Sequence, residues 1–196
     1  PMVFWAIVLG VIGGAVAVYI RAAMRVAGGV MARFAGQFML RVLVAGAIVC
    51  AVCYFTPNLM FSCEDTIHAI IDDAAQVGIP MLLLMAMLKP LLMAVSFKGG
   101  FLGGPIFPSL FSATMLALVV GLLFPNVPTE ILVACAGAGV TALVLKAPLT
   151  SILLMTVLTR ADANLMGLIV VAVVAAMILG MGFQRLAEQR KATQAA

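Results

Sequence analysis

The stretch Lys98-Gly99-Gly100-Phe101-Leu102-Gly103-Gly104-Pro105-Ile106-Phe107-Pro108-Ser109-Leu110-Phe111 decides how this chain is read. Its four glycines and two prolines cannot continue a helix, yet apolar runs flank it on both sides. Non-helical backbone at membrane depth survives only when it is buried in protein or lines a cavity. A helix that begins near Pro105 to Pro108 and runs toward Phe124 presents its N-terminus at this break. Such an end carries unpaired N–H groups and a partial positive charge, a ready site for an anion. Broken helices aimed at a mid-membrane substrate are a recurring transporter device. A tight glycine turn between two helices, holding no ligand, is the other reading, and composition alone leaves both open.

The rest of the composition agrees with a membrane setting. Apolar residues make up 65% of the 196 and charged residues 9%, against roughly 45–50% and about 25% in soluble domains. A mean hydropathy of +1.27 and 18 glycines fit helices that approach closely or break inside a bilayer. The net charge of +4 comes from basic residues between and after apolar runs, where they orient a chain in the membrane, so no nucleic-acid partner is expected. Pro1 opens directly on an apolar run with no charged n-region and no cleavage site. No signal peptide is read there, and a processed or excised fragment is expected.

Hydropathy predicts an all-α membrane protein with spans at about 2–20, 38–55, 79–97, 106–124, 131–145, 148–158 and 165–183, then a cytoplasmic tail over 184–196. Arg21, Arg25, Arg33 and Arg41, with Gly28 and Gly29 among them, mark the first connection as cytoplasmic. The C-terminal Arg185, Arg190 and Lys191 read as a second cytoplasmic flag or a lipid-headgroup contact. The chain therefore starts outside and ends inside. Lys89-Pro90 falls near the middle of the third span, about 15 Å from its start. An intramembrane charge normally faces a bundle interior or a water-filled cavity. Alternatively it snorkels, or pairs with carbonyls that Pro90 frees. Ala136-Gly137-Ala138-Gly139 offers a small-residue face for close helix contact.

Other polar groups are weaker signals. Glu64, His68 and Asp72 fall at i, i+4 and i+8, where they share one helical face. That face is a metal site or, with no further ligand nearby, a solvated acidic surface. Cys50 and Cys53 form a C-x-x-C inside an apolar run with no second pair, which reads as inert thiols rather than a zinc or redox site. No metal and no cofactor are expected, and no nucleophile–base constellation points to an enzyme.

Gly103-Gly104-Pro105-Ile106-Phe107-Pro108 resembles the G-x-F-x-P anion-selectivity signature of the CLC chloride channel and transporter family, with Gly104, Ile106 and Pro108 in register. Lys146-Ala147-Pro148-Leu149-Thr150 resembles the family's R-A-P-L-T segment about forty residues later. Lys89 stands where the family often has a basic residue before the selectivity loop. The G-G-x-I-F-P form is similar to a bacterial branch described as ion-transport proteins. The resemblance covers essentially the whole chain and implies the C-terminal half of a subunit, the second half of an inverted repeat with broken and re-entrant helices. It implies chloride transport, by a channel or an H+/Cl− antiporter, with the anion held at Gly104, Pro105, Ile106, Phe107 and Pro108. Gly103, Lys89, Lys146 and Pro148 are the pathway and structural candidates. Chloride is then a transported ligand, and the implied partners are membrane lipid, the missing N-terminal half and a second subunit in a homodimer of the plasma membrane. The short helices within 148–183 would contribute to the dimer interface.

Nothing here resembles the family's G-S-G-I-P or G-R-E-G-P segments, so the serine that touches chloride and the gating glutamate lie outside this sequence. Three departures bear on the activity. Pro105 removes a backbone N–H that would otherwise point at the central anion. The inner-gate tyrosine has no counterpart, since Tyr19 and Tyr54 are far upstream. Val157 replaces a glutamate that often follows R-A-P-L-T. Transport of another small anion such as fluoride on the same scaffold, or a non-catalytic structural role in the membrane, are the alternatives.

Overall fold

A computed structural model describes residues 2–34, 36–56, 59, 70–71 and 74–195, without the side chains of residues 75, 184 and 186–195. The described residues form helices and no strand. These are α1 (Met2–Ala32), α2 (Phe38–Phe55), the single turn α3 (Ala74–Val77), α4 (Ile79–Gly99), α5 (Ile106–Leu123), α6 (Thr129–Leu145), α7 (Pro148–Leu158) and α8 (Ala163–Ala195). Five of them, α1, α2, α4, α5 and the first part of α8, are long and apolar enough to cross a membrane. α6 and α7 are shorter apolar helices. Glu64, Asp65, His68, Asp72, Asp73 and Cys63, and the side chains of Arg190 and Lys191, lie outside the described residues.

The first helix runs well past the expected end at Ile20. Arg21 to Met24 are good helix formers, and Ala23, Ala27 and Met31 repeat every fourth residue on a buried face. Ala23 and Ala27 pack against Ala94 of α4. The last helix likewise continues through the polar residues after Phe183 to Ala195.

The centre of the bundle is α6, enclosed by α1, α5, α7 and α8. Small residues set the spacing. A Cβ on Gly13 of α1 would collide with the Ala136 carbonyl oxygen of α6, and one on Gly139 would lie 2.7 Å from the Gly10 carbonyl oxygen. Gly10 itself lies against the backbone of Ala172 in α8. Backbones this close leave no room for side chains between them, the arrangement that associates helices where no water drives them together. Leu9, Val16, Ala136, Val140, Ala172 and Ala176 fill the interior around this seam.

α2 is different: only Ala45 and Cys53 of its 18 residues are buried. It docks chiefly on α4, where Gly99 fits directly against the Ala45 side chain.

The two ends of the bundle differ in charge. Arg21 donates to the Leu143 carbonyl oxygen at 3.0 Å near the end of α6, and Lys146 follows at that end. Lys98 ends α4 against Gly28 of α1. Glu130 and Asp162 open α6 and α8 at the opposite end, where Trp5 meets Phe124 with ring centroids 4.9 Å apart.

Candidate functional site

α4 ends where the glycines begin. Gly100 takes φ +113, and the N–H groups of Gly100 and Phe101 close back onto Ser96 and Phe97 carbonyls. This is a left-handed helix stop that glycine adopts without strain. A side chain there would also press on Phe38, 3.1 Å away. Residues 101–104 then run without helical structure, with Gly103 and Gly104 exposed.

α5 restarts at Pro105, whose φ of −78 and ψ of −12 already belong to the helix. Pro105 and Pro108 are tolerated because first-turn N–H groups have no helical acceptor to lose. The first backbone bond is Ser109 N–H to the Pro105 carbonyl at 3.2 Å, and no side chain caps the helix. Both serines nearby turn away from that role: Ser109 Oγ donates to the Pro105 carbonyl, and Ser112 Oγ to that of Pro108 at 3.0 Å. The two prolines thin the helix-end donors to the N–H groups of Ile106 and Phe107, with that of Gly104 just ahead.

This tip lies level with the middle of α6. Leu110, in the first turns of α5, packs over Gly137, the middle residue of α6. Lys89 is the eleventh of the 21 residues of α4, also a midpoint. Its side chain is only 5% exposed. Its Nζ donates to the Leu59 carbonyl oxygen at 2.7 Å and lies 5.8 Å from the centroid of the Phe111 ring. Lys89 therefore does not snorkel. Pro90 leaves α4 unbroken.

A cavity of about 640 Å³ brings Lys89 together with Gly103, Gly104, Phe107 and Pro108. Phe107 also lines a second hollow of about 560 Å³, which reaches Thr114, Glu130 and Arg160. The loop tip thus stands between two hollows. Lys146 and Pro148 line neither. Lys146 is instead the left-handed C-cap of α6 at φ 56, and Pro148 opens α7, so K-A-P-L-T is a tight turn. Cys50, exposed, and Cys53, buried, stand on the wall of the larger cavity.

Sequence reasoning missed the Leu59 carbonyl, because a main-chain acceptor leaves no trace in residue type. It also missed the inward-turned serines. Two overlapping P-x-x-x-S spacings, Pro105 with Ser109 and Pro108 with Ser112, were the available signal.

The profile of the family described as voltage gated chloride channel matches residues 1–180. The chain belongs to that family. No curated protein and no solved structure matches it. Membership in the voltage-gated chloride channel family, with five span-length apolar helices, makes this a multi-pass membrane protein whose family-level activity is anion transport. The match takes in every helix from α1 to α7 and most of the apolar part of α8.

Proposed function

We propose that this chain forms the second half of a chloride-conducting subunit, in which the N-terminal tip of α5 holds the anion. The carrying observation is that α5 begins, uncapped, level with the middle of α6 and on the wall of the cavity that holds Lys89. In a low-dielectric setting, N–H dipoles of Gly104, Ile106 and Phe107 replace part of a halide's hydration shell, and the narrow path excludes bulky anions. Lys89 stands on the same wall. The role is non-enzymatic, and the other half of the repeat supplies the serine and glutamate that decide between a channel and an H+/Cl− antiporter.

The same reading has the protein in the plasma membrane as a homodimer. The basic ends of α1, α4 and α6 support a cytoplasmic location for that face, with Glu130 and Asp162 outside. On this topology the N-terminal end of the chain is external and the C-terminus internal.

Ile106→Pro in the complete subunit tests the site. Proline deletes one of the remaining donors, and because it disfavours helical backbone in the residue before it, Pro105 is expected to leave its ψ of −12. Chloride efflux from liposomes is expected to be abolished while the dimer assembles normally; undiminished efflux sinks the assignment. A second reading is favoured by Pro105, which removes a donor from the site: the preferred passenger is then another small anion such as fluoride. Efflux compared across a series of anions separates the two.

A further inference from the structure

We propose that the corner formed by the end of α1, the start of α2 and the end of α4 binds the phosphate headgroup of an anionic membrane phospholipid. This rests on the chain spanning a membrane, not on which ion it carries.

With 31 residues, α1 is about 46 Å long. The hydrocarbon of a bilayer is about 30 Å thick, so the last turns of an upright α1 reach headgroup depth. Those turns carry Arg25 and, just beyond, Arg33, both exposed. Lys98 joins them from α4. Its side chain lies across Gly28, where an added Cβ would stand 3.4 Å from Cε and 3.9 Å from Nζ. Arg25 is three residues before Gly28 and therefore on the same face, one turn away. The absent side chain at Gly28 leaves room for the Lys98 ammonium on the face of α1 that carries Arg25 one turn earlier.

Basic residues gathered at one corner from three helices favour an anion. Among the described residues, neither Arg25, Arg33 nor Lys98 pairs with a carboxylate, and Glu130 and Asp162 stand at the far end of the bundle. The surroundings select a lipid over a free ion: Val26, Val30 and Met39 are 64%, 44% and 82% exposed around the same corner. Arg41 lies with its guanidinium 5.4 Å from the Phe38 ring centroid at the first turn of α2. Basic groups interleaved with exposed apolar ones match a phosphodiester that carries acyl chains. Each such basic residue strengthens attraction to an anionic leaflet by roughly fivefold.

Native mass spectrometry of the complete protein, with phosphatidylglycerol and phosphatidylcholine of identical acyl chains, tests this. The wild type is expected to retain phosphatidylglycerol about tenfold or more over phosphatidylcholine. R25Q/K98Q is expected to fall to near parity, and because both side chains are exposed the fold should persist. R185Q, which removes a charge from α8, is expected to keep the preference. Equal retention of both lipids by the wild type overturns the proposal. So does a preference that survives in R25Q/K98Q, or one that R185Q abolishes equally.

Discussion

Lys89 Nζ and the Leu59 carbonyl oxygen are 2.7 Å apart, and this bond ties the segment after α2 to the middle of α4. A buried ammonium hydrogen-bonded to main chain keeps its position whether or not an anion is nearby. The position of the Lys89 side chain on the cavity wall is thus set by the main chain.

Lys89→Met keeps an unbranched side chain, one atom shorter, and removes the ammonium group. A hydrogen bond to a charged group contributes about 1.5–3 kcal/mol. The substitution is expected to lower the thermal unfolding midpoint of the complete protein and to reduce chloride efflux. If both stay at wild-type values, Lys89 neither anchors Leu59 nor attracts the anion.

Pro105→Ala restores one N–H at a position whose backbone angles any residue adopts. A charge-assisted bond of about 1.5–3 kcal/mol corresponds to roughly tenfold or more in affinity. Calorimetry on the complete subunit is expected to show tighter chloride binding by that factor. Unchanged affinity means that position 105 does not face the ion.

Gly13 and Gly167 make a matched pair. Gly13→Val drives a side chain into the backbone of Ala136, and overpacking of this kind costs about 1–3 kcal/mol or more. A Cβ at Gly167 meets nothing within 4 Å. Gly167→Ala is expected to stabilise α8 by about 0.5–1 kcal/mol through reduced backbone freedom in the unfolded chain. Denaturation midpoints that move in opposite directions are the expected result.

Lys146 holds a left-handed backbone, φ 56, at the end of α6. That conformation costs a residue with a Cβ roughly 1–2 kcal/mol. Lys146→Gly is expected to raise the unfolding midpoint without changing chloride efflux, because residue 146 lines neither hollow. A fall in efflux would instead give this lysine a part in the pathway.

The fold class was legible because a bilayer demands apolar runs, and the break at 99–105 was legible because glycine and proline interrupt them. The depth of α5's first turn was not. It depends on Leu110 packing over Gly137, a contact between helices that sequence spacing does not encode. Arg21 misled in the other direction. A charge after an apolar run reads as the helix end, but α1 continues from Arg21 to Ala32 while the Arg21 guanidinium reaches the Leu143 carbonyl. Of the candidate site, the residues of the loop were readable from their chemistry. The placement of Lys89 beside them, and of Lys146 away from them, came only from tertiary structure.

The glycine seam among α1, α6 and α8 also divides the molecule by its capacity to move. Side chains accommodate sliding by changing rotamer, whereas main-chain atoms in direct contact have no such freedom. Those three helices should therefore shift as one block. Opening and closing would then be left to thinly seated α2 and to the non-helical strip 101–104, beside the tip proposed to hold the anion. Spin labels or crosslinks on that side should report distance changes during turnover, while pairs across the seam stay constant.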